Sequence, residues 1–227
     1  KMPIVFHVHA TEWGRTGGGG SEVVTHLEST SAQMADQIIT VSHAMKDDLT
    51  RHGWPEPKID VVWNGVDPDR YDPQQVKAED AERIRERYGI QRDDQMILFL
   101  GRLTWVKGVR NLVQGMPYVL QEFPRANLVI LGKGEEQRDI EMLASRLGIL
   151  ESVKCRFEFV PEEERIQHYA ASDLCVFPST YEPFGIVSLE AMAMEKPPSP
   201  VMQKTFFPGC ASFAAMAAGR PNPMVAR

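Results

Sequence analysis

The sequence predicts an α/β protein made of two parallel-sheet units, and three observations predict it. Apolar strand-like runs alternate with helix-period segments between residues 4 and 63, in the βαβαβ order that belongs to parallel sheets. A stretch rich in turn residues, Asn64-Gly65-Val66-Asp67-Pro68-Asp69-Arg70-Tyr71-Asp72-Pro73, interrupts that order. The alternation then restarts at Met96 and runs to Ala193.

Taken in order, the apolar run 4–9 reads as a first strand, and a glycine-rich stretch, 15–20, as a mobile loop. Residues 22–37 are helix-compatible and 38–41 form a second buried strand. Ser42 is placed to cap a helix that carries Met45 and Leu49 on one face and ends near Gly53. Residues 54–57 turn the chain into a third strand at 59–63. Beyond the turn-rich stretch a charged helix is expected at 76–87 and a strand at 96–100. An amphipathic helix from Val109 to Phe123 follows, with a kink expected at Pro117. Strands at 128–131, 156–160 and 174–177 alternate with helices ending at Gly148 and Ala171.

Composition narrows the function classes. The chain has 227 residues, 43% of them hydrophobic and 25% charged, as in ordinary globular proteins. Its net charge of −6 argues against nonspecific nucleic-acid binding, which needs basic surface. No apolar run approaches the roughly 20 residues of a membrane-spanning helix, and no leader pattern is visible. Cys155, Cys175 and Cys210 are scattered, without a CxxC or Cys/His cluster, and read as buried inert thiols. A reducing, cytoplasmic setting is expected.

Two stretches carry the chemistry. In Pro178-Ser179-Thr180-Tyr181-Glu182-Pro183-Phe184-Gly185-Ile186-Val187-Ser188-Leu189-Glu190-Ala191-Met192-Ala193, a strand leads through a short loop into a helix. Pro183 suits a first helical position. The N–H groups of Phe184, Gly185 and Ile186 would then face an anion at the positive end of the helix dipole. Glu190 would follow Glu182 by about two turns, roughly 12 Å at about 1.5 Å per residue. Two carboxylates flanking an anion site suit a nucleotide sugar, which has hydroxyls at both ends and phosphates between. In Gly101-Arg102-Leu103-Thr104-Trp105-Val106-Lys107-Gly108, at the carboxyl end of a strand, Arg102 can fork onto phosphate oxygens and Lys107 adds a point charge.

Together these stretches resemble the second domain of the family 4 (group 1) glycosyltransferases, retaining enzymes of GT-B fold. Val8-His9-Ala10-Thr11-Glu12, Val41-Ser42-His43-Ala44-Met45-Lys46 and Asn64-Gly65-Val66-Asp67 resemble the second half of the first domain, nearest to glycogen-synthase-like members. The resemblance runs from about Pro3 to Lys196. It implies two Rossmann-like domains with parallel sheets, the first incomplete and the second lacking its last elements. It implies that Glu182 meets the transferred sugar, Glu190 the ribose hydroxyls, and Arg102 and Lys107 the diphosphate, helped by the N–H groups of Phe184, Gly185 and Ile186. His9 would project toward the sugar. No cofactor or metal is implied, and the partners would be a nucleotide sugar, UDP- or ADP-glucose, and a carbohydrate acceptor. Retention would proceed by same-face attack as the nucleotide leaves, without a carboxylate nucleophile. A non-catalytic nucleotide-binding piece of such an enzyme is the alternative, and a GT-B phosphorylase or epimerase relative a third reading.

The expected organisation is 1–66 as part of the acceptor-side domain, 67–92 as linker and helix, 93–196 as the donor domain, and 197–227 as an aberrant or disordered tail. Other motifs are assigned lesser roles. His7 is placed on the strand face opposite His9, and His43 and His168 are expected to pack or cap. Gly132-Lys133-Gly134 is expected to shape the wall of a nucleotide pocket, and Asp67-Pro68-Asp69 to be a turn rather than a metal site. The chain departs from the family pattern in three places. Glu158 stands where the family usually has glycine, Glu195 occupies the place of a turn glycine, and Pro198-Ser199-Pro200 is unfit for a central strand. An unpaired sheet edge and an incomplete acceptor site are expected.

Overall fold

The computed structural model describes residues 2–196 and the two-residue strand 198–199. Cys210 and the remainder of the expected tail lie outside the described residues. The described residues divide into two compact units, one comprising those up to 65 with 181–186 and the other 66–180 with those from 187 onward.

In the first unit, β1 (Val5–Val8), β2 (Gln37–Thr40) and β3 (Ile59–Val61) form a parallel sheet in that order. The register pairs Val5 with Gln37 and Ile38 with Ile59. Three helices connect or flank them: α1 (Glu12–Thr16), α2 (Glu22–Met34) and α3 (His43–Arg51). Helix α1 is a departure from the expected loop, which it shortens to the residues after Thr16. Thr11 caps it by accepting from Gly14 N–H, and Gly17 closes it in the left-handed region. Ser42 caps α3 as expected: its Oγ accepts from Met45 N–H at 3.1 Å, and Met45 and Leu49 are buried. The same hydroxyl donates to Pro183 O at 2.7 Å, which helps explain why 181–186 groups with this unit.

The second unit starts earlier than expected. Residues 67–92 are part of its body, since Tyr71, Ile84 and Ile90 are buried in its core. Five parallel strands, β4 (Met96–Leu100), β5 (Asn127–Leu131), β6 (Val153–Arg156), β7 (Leu174–Val176) and β8 (Pro198–Ser199), take the order β6-β5-β4-β7-β8. All of β4 is buried, because helices cover both faces of the sheet and leave no solvent side for alternation. On one face α5 (Val109–Glu122) and α6 (Gln137–Arg146) bring Val113, Met116, Ile140 and Ala144 onto Phe99, Leu128 and Ile130. On the other, α4 (Ala78–Arg87), α7 (Glu162–Ala171) and α8 (Ile186–Ala193) bring Ile84, Tyr169 and Ala191 onto Met96, Leu98 and Val129. Helix α5 runs unbroken through Pro117.

Two strands differ from expectation. The strand expected at 156–160 is β6, displaced toward the N-terminus, because its partner β5 ends at Leu131, which pairs with Arg156. Pro198-Ser199 does extend the sheet: Cys175 pairs with Pro198 and Val176 with Ser199. Among the described residues this pair is the sheet edge, where a proline that cannot donate to a further strand is tolerated.

Helix α8 closes in a Schellman arrangement, with Glu195 N–H on Met192 O (3.0 Å) and Lys196 N–H on Ala191 O (2.9 Å). Glu195 takes φ 55°, and it is the described non-glycine residue with positive φ. Its Cβ is strained there, so Glu195→Gly is expected to stabilise the chain by roughly 0.5–1 kcal/mol. The urea midpoint of the variant against the parent measures this.

Candidate donor site at the sheet switch point

The strand order of the second unit places the reversal of winding between β4 and β7. Open α/β sheets bind ligands in the crevice outside the carboxyl ends of the strands at that point. The β4–α5 loop rises there, with Arg102 exposed and Lys107 half-buried at the end of a 3-10 turn, Trp105–Lys107.

Neighbouring loops hold this one by main-chain contacts. Leu103 N–H donates to Lys133 O (2.8 Å) and Glu136 N–H to Leu103 O (3.1 Å). Thr180 N–H donates to Val106 O (2.7 Å). Glycines allow the close approach. A Cβ on Gly132 would lie 1.8 Å from Gly101 O, one on Gly134 2.1 Å from Leu103 O, and one on Gly108 2.1 Å from Pro178 O. Gly132-Lys133-Gly134 thus packs against the loop that carries Arg102.

Glu190 sits in the second turn of α8, only 6% exposed. Its Oε2 accepts from Tyr169 Oη at 2.8 Å and its Oε1 from Tyr71 Oη at 3.1 Å, with Arg165 at 3.9 Å from Oε1. Tyr71 Oη also lies 2.9 Å from Glu162 Oε1. Burial, then Glu190, pushes both phenol pKa values up, so each tyrosine stays a hydrogen-bond donor. Neither tyrosine was singled out from sequence. The available signal was Tyr169 on the buried face of α7, since a buried phenol needs a polar partner.

The helix start differs from expectation. Pro183 is not its first residue: α8 begins at Ile186, preceded by Gly185 at φ 83°. Phe184 and Gly185 are both buried ahead of the helix, so only Ile186 among the three expected N–H groups belongs to its first turn. Glu182 is half-buried and lies four residues before the helix, so it and Glu190 are not on one helix. In the first unit His9 is exposed just after β1. His7 is not on the opposite face: the period of two puts both histidines on one side, and their rings lie 4.2 Å apart.

The remaining motifs have structural partners. Asp67 Oδ1 accepts from Asp69 N–H at 3.0 Å, closing a turn, and no metal-ligating cluster occurs among the described residues. Burial pushes the Cys155 thiol up to about 12 and the Cys175 thiol up to about 11, which leaves both unreactive. His168 packs in the core. Its Nδ1 faces Glu164 O at 2.7 Å, which can only accept, so that nitrogen carries the proton and Nε2 takes the Tyr88 hydroxyl at 2.9 Å.

Burial holds the His168 pKa below its ordinary 6.5. Arg156 first, and also Arg87, hold the Glu164 carboxyl at about 2 against 4.5. Both groups bind protons more readily unfolded than folded, so both favour the fold at neutral pH. Stability is expected to fall in two steps on acidification, the first below about pH 6.5 and the second between about 4.5 and 2. Urea midpoints across this range check it, and His168→Gln should remove the first step.

A model for glycosyl transferases group 1 matches residues 80–198, and one for glycosyltransferase family 4 matches 1–70. The chain belongs to the group 1 glycosyl transferases. Among curated relatives of this family, an uncharacterized glycosyltransferase of Methanocaldococcus jannaschii is 38% identical over 201 residues, covering 87% of this chain and 51% of the relative. A glycogen synthase of Mycobacterium tuberculosis is 32% identical over 204 residues, covering 86% and 45%. The chain thus spans about half the length of these relatives. Among solved structures, Anabaena HepE in complex with UDP and glucose superposes with a TM-score of 0.74 at 25% identity, over 86% of this chain and 52% of that one. Sucrose-phosphate synthase of Thermosynechococcus elongatus gives 0.71 at 24% identity, over 86% and 49%. The fold is accordingly the GT-B type, α/β with parallel sheets. No helix among the described residues is long and apolar enough to cross a membrane.

Proposed function

We propose that this group 1 glycosyl transferase chain serves a retaining transfer of a hexose, glucose, from UDP- or ADP-glucose to a glycan or other sugar acceptor in the cytoplasm. The observation that carries the reading is the β4–α5 loop, with Arg102 and Lys107, standing at the switch point of a five-stranded parallel sheet. In this reading the two cations take the diphosphate and stabilise the charge that grows on it as the glycosidic bond breaks. Cationic side chains do the work of a metal there. Glu190 takes the ribose, and Glu182 and His9 the sugar. The N–H group of Ile186, in the first turn of α8, supplements the diphosphate contacts. Support for the donor class comes from the HepE complex with UDP and glucose and from the glycogen synthase relative.

Arg102 is exposed and its removal leaves the core intact, so it gives a clean test. Arg102→Ala is expected to weaken UDP or ADP binding by about 10- to 100-fold, the value of a charge-assisted contact, without moving the melting midpoint. Calorimetric titration of parent and variant measures it. An unchanged dissociation constant would remove Arg102 from the diphosphate site and the proposal with it.

A further inference from the structure

The hydrogen bonds around Glu190 are unequal in a way that separates its two tyrosines. Tyr169 is fully buried and donates to Oε2 at 2.8 Å. Its other acceptor is Val187 O, at 3.5 Å, too long and too poor to compete with a carboxylate. Tyr71 has one hydroxyl proton between two carboxylate oxygens, Glu162 Oε1 at 2.9 Å and Glu190 Oε1 at 3.1 Å. It can satisfy only one at a time. Glu162 is itself paired to Arg70, so the Glu162 side offers Tyr71 a standing alternative. One tyrosine is therefore committed to Glu190 and the other is exchangeable. Each carboxylate oxygen has two acceptor sites, so Glu190 keeps capacity for further hydroxyl donors beside Tyr169.

We propose that Tyr169 is a positioning residue that fixes the Glu190 carboxylate for a vicinal diol, and that Tyr71 turns to Glu162 when the diol arrives. This rests on the reading that Glu190 meets a nucleotide ribose. The diol replaces the Tyr71 proton on Oε1, while the Tyr169 bond to Oε2 sets the plane of the carboxylate throughout. Rotation of a carboxylate about its last bond is soft, so without that anchor two donors held at the fixed spacing of a diol meet a poorly aligned pair of acceptors.

The test is the preference of the full chain for UDP over 2′,3′-dideoxy-UDP, with the adenine pair run in parallel. The parent is expected to favour the diol by about tenfold or more, the value of a hydrogen bond to a charged group. Tyr169→Phe is expected to reduce that ratio to below about threefold, and Tyr71→Phe to leave it within about twofold. Both variants are made in a Glu195→Gly, Gly115→Ala background so that lost stability does not unfold them. If Tyr169→Phe weakens both ligands equally and keeps the ratio, Tyr169 is merely structural and the proposal fails. Loss of the ratio in Tyr71→Phe but not in Tyr169→Phe overturns it as well. A parent that binds both sugars equally removes Glu190 from the ribose, and this inference with it, while Arg102 at the diphosphate stands. A parent that binds none of the four overturns the functional reading itself.

Discussion

Gly132→Ala is expected to destabilise the second unit by about 3 kcal/mol or more and to disrupt the fold of the β5–α6 loop. The reason is local. Gly132 takes φ 143°, a conformation that side chains rarely adopt, and its Cβ would stand 1.8 Å from Gly101 O. The atom it would meet is main chain at the end of the central strand, so it has no rotamer into which to retreat. Relief requires parting β4 from β5 at their carboxyl ends, where Gly101 N–H bonds to Leu131 O at 3.1 Å. Gly115→Ala is the matched control. It lies inside α5 with nothing within 4 Å of its Cβ position, so alanine there is expected to stabilise by about 1 kcal/mol through helix propensity. Denaturant midpoints of the two variants should move in opposite directions. Equal midpoints would mean that the loop is looser than its contacts indicate.

The second large effect is expected at Glu190. Glu190→Ala strands the Tyr169 hydroxyl in the core, and Tyr71 keeps only Glu162. A buried donor left without an acceptor costs about 1–3 kcal/mol, and the methylenes of the lost side chain add a cavity. A total of about 3 kcal/mol is expected. Glu190→Gln retains an acceptor oxygen and should recover part of the loss. Thermal unfolding of the two variants measures the difference. If Glu190→Ala were as stable as the parent, the carboxylate would not be tied to the tyrosines. This stability effect does not depend on the ligand, so it separates the scaffold role of Glu190 from any role toward ribose.

Much of the second unit could be read from the residues alone, and the reason is burial on both faces. Runs such as Met96–Leu100 are apolar throughout, and an uninterrupted apolar strand between helix-period segments has few alternatives to a parallel sheet. The motif glycines were not legible in this way: the close main-chain approaches at Gly108 and Gly132 involve Pro178 and Gly101, far away in the chain. Where the signal was short-range and ambiguous, it misled. Phe157-Glu158-Phe159-Val160 looks as strand-like as Val153–Arg156, and only the length of β5 decides between them. Pro183 fits a helix start by local preference, yet the helix waits for Ile186.

His7 and His9 required no structure to be placed on one face; the two-residue period alone does so, and the ring contact follows from it. Tyr71 is the opposite case. Its surroundings in sequence are turn residues, and nothing near it reports that its ring enters a core and its hydroxyl reaches Glu190, 119 positions away.

By itself the sequence determined the alternation of strands and helices, the two stretches that carry Arg102, Lys107, Glu182 and Glu190, and the family to which they point. These are local patterns, written in neighbouring residues. Only the tertiary structure decided the strand order that makes β4 and β7 flank a switch point, the joining of residues 67–92 to the second unit, and the partners of Glu190. Those depend on contacts between residues far apart in the chain, where the deciding energy is burial of apolar faces and satisfaction of buried polar groups. Neither is visible until the faces meet.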